Sequence, residues 1–387
     1  MTDPFAWIDD EAAEWAARGL ARRLSPHDEV RPGRFQQDGR WLLNFGSNDY
    51  LGLAADPRPA EQARLAAERY GWGAGASPLV SGWTRAHEEL TEALAAFERT
   101  EAALLFPTGF AANLGTVAAL VGQGDAVYCD RLNHACLIDG ARLSGARLRV
   151  YPHNDAEALA STLERDRGRF RRSLVATDGV FSMDGDLAPL AELVEVSERF
   201  GAMLLVDEAH GTGVFGPDGR GAASACGVAE RVPVRVGTLS KALGSVGGFV
   251  AGSRRLIDRL LNHARTQIYS TSLPPAAAAA ARAALALAAD EPWRRDRVHG
   301  LAARLRLALT DAGFDVGPSA GPIVPVLLGE PERALALSAR LREAGFFVPA
   351  IRPPTVPAGT ARLRISLTAA HTDGDLDALI DALGSSA

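Results

Sequence analysis

Cysteine is scarce in this 387-residue chain, and its three residues, Cys129, Cys136 and Cys226, form no CxxC pair and no metal-ligand spacing. An odd, sparse set of this kind reads as reduced thiols, not as a disulfide framework or a metal centre. An excess of positive charge is also missing. The formal net charge of −6 argues against recruiting nucleic acid or an anionic membrane by bulk charge. The opening segment MTDPFAWIDDEAAEW carries acids where a secretory signal needs a basic and then an apolar region. Long hydrophobic runs are absent too: the greasiest stretch, LPPAAAAAARAALALAA, is mostly alanine and contains Arg282, so it reads as a soluble helix. A cytoplasmic location is the expectation by elimination. No GKS or GKT phosphate loop occurs. The run Gly71-Trp72-Gly73-Ala74-Gly75 follows a helical segment and departs from GxGxxG, which weighs against a dinucleotide-binding oxidoreductase.

What is present is an alternation of helix-period and short apolar segments. Residues 8 to 24 read as an amphipathic helix with Ile8, Ala12, Trp15, Ala16 and Leu20 on one side. A strand-like WLLNF, a turn-rich SNDYLGL and a helix near 57 to 70 follow. The strand candidates ALLF, DAVYCD, RLRVYPH, RSLVATDG, AMLLVDEAH, PVRVGTLS and GGFVAGS come next, several of them separated by helical segments. That order predicts an α/β layer with a largely parallel sheet buried on both faces. After about residue 290 the pattern changes to that of a smaller α/β lobe. The expected division is an N-terminal helix and arm over 1–45, a large domain over 46–288 and a small domain over 289–387.

Three strand ends carry reactive residues, and ligands of open α/β sheets gather at strand ends. Asp207 and His210 follow AMLLV, Lys241 follows PVRVGTLS with Thr238 beside it, and Thr108-Gly109-Phe110 opens a helix. Pyridoxal phosphate chemistry calls for this set. A lysine condenses with the cofactor aldehyde and must lose its proton near neutral pH. A carboxylate keeps the pyridine nitrogen protonated, a role that fits Asp207. Backbone amides at a helix N-terminus suit a phosphate. His134, in DRLNHACL, suits the face of a flat ring. Each residue alone has a bland reading, such as a solvated lysine or a satisfied histidine. Their conjunction in this order is what carries the argument.

SNDYLGL, GAGASPLVSG, TGFAANLG, DGVFSMDGDLAPL, VDEAHGTGVFGPDGRG and TLSKALGSVGG together resemble the α-oxoamine synthases, a branch of the fold-type I pyridoxal-phosphate enzymes. The resemblance runs from about residue 8 to residue 380. It implies a large domain with a mostly parallel sheet between helices, a smaller C-terminal domain, and an acyltransferase that joins an amino acid to an acyl thioester with loss of carbon dioxide. IRPPTVPAGTARLRISLTAAH is most similar to the biotin-pathway members, which use L-alanine and a pimeloyl thioester. Other branches carry a tyrosine-proline pair at Arg352-Pro353-Pro354. An enzyme using glycine or serine with another acyl group, or an aminotransferase, is the alternative.

Residue by residue, the resemblance implies that Lys241 forms the Schiff base and Asp207 pairs with the pyridine nitrogen. His210 and Ser182 stand at the ring hydroxyl, and His134 lies on the ring beside the substrate. Gly109, Phe110 and Thr238 hold the phosphate end. Thr271 and Ser272 reach the phosphate of a neighbouring subunit, so a homodimer is implied. Arg364 grips the substrate carboxylate with Asn48 near it, although Arg362 and Arg364 share one strand face and an ion-pair role is the bland alternative. Thr355 lies in the acyl region, and Arg22 is the N-terminal substrate contact, with Ala21 and Arg23 as neighbours in the alignment. The acyl group arrives on coenzyme A or an acyl carrier protein. Asp178 departs from the family's usual glutamate, and the shorter acid is expected to leave a hydrogen bond to a water bridge.

Overall fold

A computed structural model describes residues 3–18, 20–22 and 24–384. Its centre is a seven-stranded sheet in the order Ala102–Phe106, Gly248–Gly252, Val234–Thr238, Met203–Asp207, Ser173–Asp178, Ala126–Asp130, Arg147–Tyr151. Gly248–Gly252 runs antiparallel to both neighbours, and the other pairings are parallel. The near-continuous apolar character of these segments follows from helices on both faces. Alternation then divides the residues between two cores. Leu204, Val206 and Val175 enter one, whereas Leu205, Leu174 and Ala176 enter the other. Each fully buried leucine contributes roughly 1.5–3 kcal/mol.

The alanine-rich run forms the helix Pro275–Asp290, with Ala278, Ala281, Ala284 and Ala288 buried. Small side chains at that spacing let it lie closely on the helix Pro57–Tyr70. Gly71, at φ +81°, ends the latter helix, so the glycine-rich run after it begins as a helix stop. Among the described residues no helix is long and apolar enough to cross a membrane.

A third core belongs to the C-terminal lobe. There the helices Trp293–Asp311, Pro331–Glu343 and Asp373–Gly384 pack with the antiparallel strands Ile323–Gly329, Ala361–Ser366 and Ala350–Ile351. The early hairpin strands Arg34–Gln37 and Arg40–Asn44 join this lobe, because Phe346–Phe347 pairs in parallel with Leu43 and Asn44. Phe45 enters the same core and stacks on His371, with ring centroids 4.1 Å apart.

The N-terminal helix departs from expectation. It spans Ala6–Ala17, not 8 to 24, and none of its residues is buried. Trp7, Ile8 and Trp15 remain exposed because no other part of the described chain covers that stripe. Periodicity marks an apolar face but does not say what covers it.

His371 offers a test of the junction between arm and small lobe. Its Nδ1 accepts from the Thr368 amide and its Nε2 lies 3.2 Å from the Asn44 carbonyl, a pairing that suits the neutral ring. Burial lowers its pKa from the usual 6.5 to about 4. A histidine whose folded pKa is depressed contributes stability above its ordinary pKa and loses it as pH falls through the folded value. The loss therefore falls between pH 6.5 and about 4 and amounts to about 3 kcal/mol. In His371→Gln the decline of melting temperature across that window should be shallower than in the wild type, as read by calorimetry at a series of pH values.

Candidate active site

Adjacent strands end side by side, and this sets the site. The register pairs Asp178 with Asp207, so two acids emerge at neighbouring strand ends. The turn after Val234–Thr238 brings Lys241 opposite them. Lys241, Asp207, Asp178, His210 and His134 border a cavity of about 190 Å³, whose other end is the start of the helix Gly109–Leu120. Lys241 is the only lysine in the sequence, against forty arginines.

The amine Nζ of Lys241 sits 2.9 Å from His210 Nε2. Burial pushes the lysine below its ordinary pKa, and Asp207 and Asp178 partly oppose that. His210 is buried, and burial, reinforced by Lys241 and Arg364, holds it well below its usual value. It is therefore neutral, with one ring nitrogen donating and the other accepting. Its Nδ1 lies 2.6 Å from the Tyr50 hydroxyl. Arg364 Nη2 donates to that hydroxyl at 3.4 Å and to Asn48 Oδ1 at 3.2 Å. A continuous polar chain thus runs from the lysine amine to a guanidinium.

Asp207 is fixed on both oxygens: Oδ2 accepts from Asn113 Nδ2 at 2.7 Å and Oδ1 from the Ala209 amide at 2.9 Å. Glu208 points the other way and accepts the amides of Ala222 and Ala223, each at 2.8 Å. Burial raises its pKa to about 7. The two consecutive acids therefore have separate roles, one at the cavity and one closing a chain turn. Asp178 accepts the His134 amide directly at 2.8 Å, so the shorter acid still reaches this partner. Its own pKa is pushed well up, by burial first and then by Asp207. His134 caps the helix Ala135–Ser144, with its ring edge-on to Phe110 at 6.3 Å between centroids.

At the opposite end Thr108 caps its helix by accepting from the Ala111 amide at 3.0 Å. The amides of Gly109 and Phe110, in the first turn, have no partner within the helix. Gly109 lies against Thr238, whose hydroxyl donates to the Gly247 carbonyl at 2.9 Å.

Other expected residues stand elsewhere. Ser182 lines a separate cavity of about 870 Å³ together with Thr355 and Arg362, and its carbonyl accepts from Arg364 Nε at 2.5 Å. Thr355 also borders a cavity of about 290 Å³ with Arg22 and Arg352. Arg23 lies outside the described residues. Thr271 and Ser272 line a small crevice beside Leu273 and His87, away from Lys241. Arg362 and Arg364 diverge in their partners, because Arg362 pairs with Asp184 whereas Arg364 turns to Asn48 and Tyr50.

Sequence reasoning missed Tyr50 and Asn113. Tyr50 was visible only as part of the turn-rich SNDYLGL. Asn113 stands one helical turn after Gly109, a spacing that places it on the side facing the strand end. The single-lysine composition was the strongest unread signal.

The family model for class I and II aminotransferases matches residues 40–383. The chain belongs to this family. An 8-amino-7-oxononanoate synthase of Anaeromyxobacter dehalogenans is 53% identical over 377 residues, covering 97% of this chain and 94% of that protein. One of Methylococcus capsulatus is 54% identical over 382 residues, with 98% and 97% covered. Among solved structures, a serine palmitoyltransferase from S. paucimobilis with bound PLP–myriocin aldimine superposes with a TM-score of 0.94 at 33% identity, over 99% of this chain and 98% of that one.

The class I and II fold leaves the cofactor question to the side chains, and they fit pyridoxal phosphate. An amine, a buried acid and a helix N-terminus whose first amides have no partner within the helix share one cavity. An amine-directed reagent at mildly alkaline pH should label one lysine per chain. Peptide mass spectrometry should place that label on Lys241 at a half-reaction pH below that of free lysine, and Lys241→Ala should retain only α-amine labelling.

Proposed function

We propose that this protein condenses L-alanine with a pimeloyl thioester to give 8-amino-7-oxononanoate, carbon dioxide and a free thiol, the reaction that serves biotin synthesis, with pyridoxal phosphate at Lys241. The observation that carries the reading is a sole lysine, desolvated against a neutral histidine, in one cavity with a fixed carboxylate and an open helix N-terminus. The alanine and pimeloyl assignments draw on the relatives named for that product.

When bound, the cofactor supplies a protonated pyridine ring that accepts electron density from the α-carbon of the amino acid. Lys241 would hold its aldehyde, Asp207 its ring nitrogen, His210 its ring hydroxyl and His134 its face, whereas Ser182, expected at that hydroxyl, lines the neighbouring cavity. Gly109, Phe110 and Thr238 take the phosphate, joined by Thr271 and Ser272 from a second copy.

Lys241 then acts at Nζ. Burial, which lowers its pKa, favours the free amine, and that amine takes the α-proton and returns it after decarboxylation. Neutral His210 orients the amine without competing for a positive charge. Asn113 and the Ala209 amide keep Asp207 an acceptor aimed at the ring nitrogen. Arg364 grips the amino-acid carboxylate with a planar fork, beside Asn48. Arg22 and Thr355 stand towards the acyl chain. The enzyme works in this reading as a cytoplasmic homodimer, its acyl group delivered by coenzyme A or an acyl carrier protein.

The close shape of the serine palmitoyltransferase favours one second reading, serine with a longer acyl thioester. Thiol release measured with alanine and serine, each against short dicarboxylic and long acyl thioesters, separates the two. Alanine with the pimeloyl thioester should be fastest; a preference for serine and a long chain would replace the reading. Lys241→Ala should abolish turnover with the circular dichroism spectrum unchanged. Asp207→Asn should retain the cofactor but slow α-proton exchange of alanine by roughly 100-fold or more, as read by deuterium uptake.

A further inference from the structure

Away from the lysine cavity, His153 stands between two buried carboxylates. Its Nδ1 is 3.0 Å from Asp130 Oδ1 and its Nε2 2.8 Å from Asp186 Oδ2. A neutral imidazole presents one nitrogen as an acceptor, so two carboxylates on the two nitrogens require both to donate. The ring is a cation, held edge-on against Phe181 at 4.4 Å between centroids. Neither His153, Asp130 nor Asp186 lines the lysine cavity.

Each carboxylate governs a loop that does reach the site. Asp130 ends its strand and accepts from the Leu132 amide at 2.7 Å, setting the turn that delivers His134. Asp186 closes the loop that follows Asp178, where the Phe181 amide donates to the Asp186 carbonyl at 2.9 Å. That loop supplies the Ser182 carbonyl to Arg364, and the Met183 carbonyl and Asp184 to Arg362. Asn154, at φ +55°, fastens the same two loops from the next position. Its amide donates to Asp130 Oδ2 at 2.7 Å and its side chain to Asp186 Oδ2 at 2.9 Å. The cation is thus a charged link between the loop carrying His134 and the loop on which Arg364 rests. A buried carboxylate that loses such a partner carries a desolvation cost, and its loop has reason to move.

We propose that His153 is a positioning residue, whose ring clamps Asp130 to Asp186 and thereby sets where His134 and Arg364 stand. The consequence for alanine binding rests on the functional reading above, and the consequence for the loops does not.

The test uses the holoenzyme and the variants His153→Gln, Asp186→Asn and the double variant. Hydrogen–deuterium exchange should quicken in residues 131–134 and 182–187 in both single variants. Alanine affinity, followed through cofactor absorbance and as KM, should fall about tenfold, with affinity for the acyl thioester retained. The double variant should be no weaker than the worse single one, since the clamp is already open. A lowered melting temperature with alanine KM and loop exchange within about twofold of wild type would make His153 a brace only and overturn the proposal. Failure of both single variants to fold would overturn it as well. A wild-type enzyme that bound no alanine would sink the functional reading, and the exchange measurement would then decide the clamp by itself.

Discussion

Two buried carboxylates and one half-buried amine border a single cavity, and the rest of the site is arranged around that charge balance. Parallel register places Asp178 beside Asp207. Like charges that close cannot both be ionised cheaply, so burial and Asp207 push Asp178 upward. Lys241 lies across from both, its own charge disfavoured by the same burial that the acids partly offset. His210 completes the balance by staying neutral. A second permanent cation against Nζ would be repelled, and a second permanent anion would hold the amine protonated.

The fold meets this constraint with partners drawn from distant segments. Asn113 reaches Asp207 from a helix that begins at the proposed phosphate end. Glu208 is kept out of the cavity because its carboxylate closes onto the amides of Ala222 and Ala223. Glycine at 211 and 221 makes room for it, since a Cβ at either place would run into that carboxylate. Arg364 comes from the small lobe and Tyr50 from the segment entering the large one, so the polar chain to Lys241 crosses between two cores. Movement of one core against the other would be felt at the amine.

Much of this was legible in the residues. The strand candidates from ALLF to GGFVAGS all became strands, because continuous apolar runs bounded by turns have few other ways to be buried. The reactive strand ends were legible for the same reason: Asp207, His210 and Lys241 follow such runs, and Thr108-Gly109-Phe110 starts a helix. The N-terminal helix came out shorter, since an apolar stripe does not by itself set where a helix stops. Tyr50 and Asn113 escaped notice because their partners lie 160 and 94 residues away. Nothing local distinguishes them from ordinary turn and helix residues.

What the sequence alone determined was the α/β layering, the strand ends that bear reactive groups and the chemistry those groups can perform. Each of these follows from local periodicity and side-chain type. Only the tertiary structure decided which charges meet. It turned Glu208 away while Asp207 faced the cavity, divided Arg362 from Arg364, placed Ser182 in another cavity and linked two loops through His153. Those outcomes depend on register and on packing between segments far apart in the chain, where a difference of one residue exchanges a buried partner for solvent.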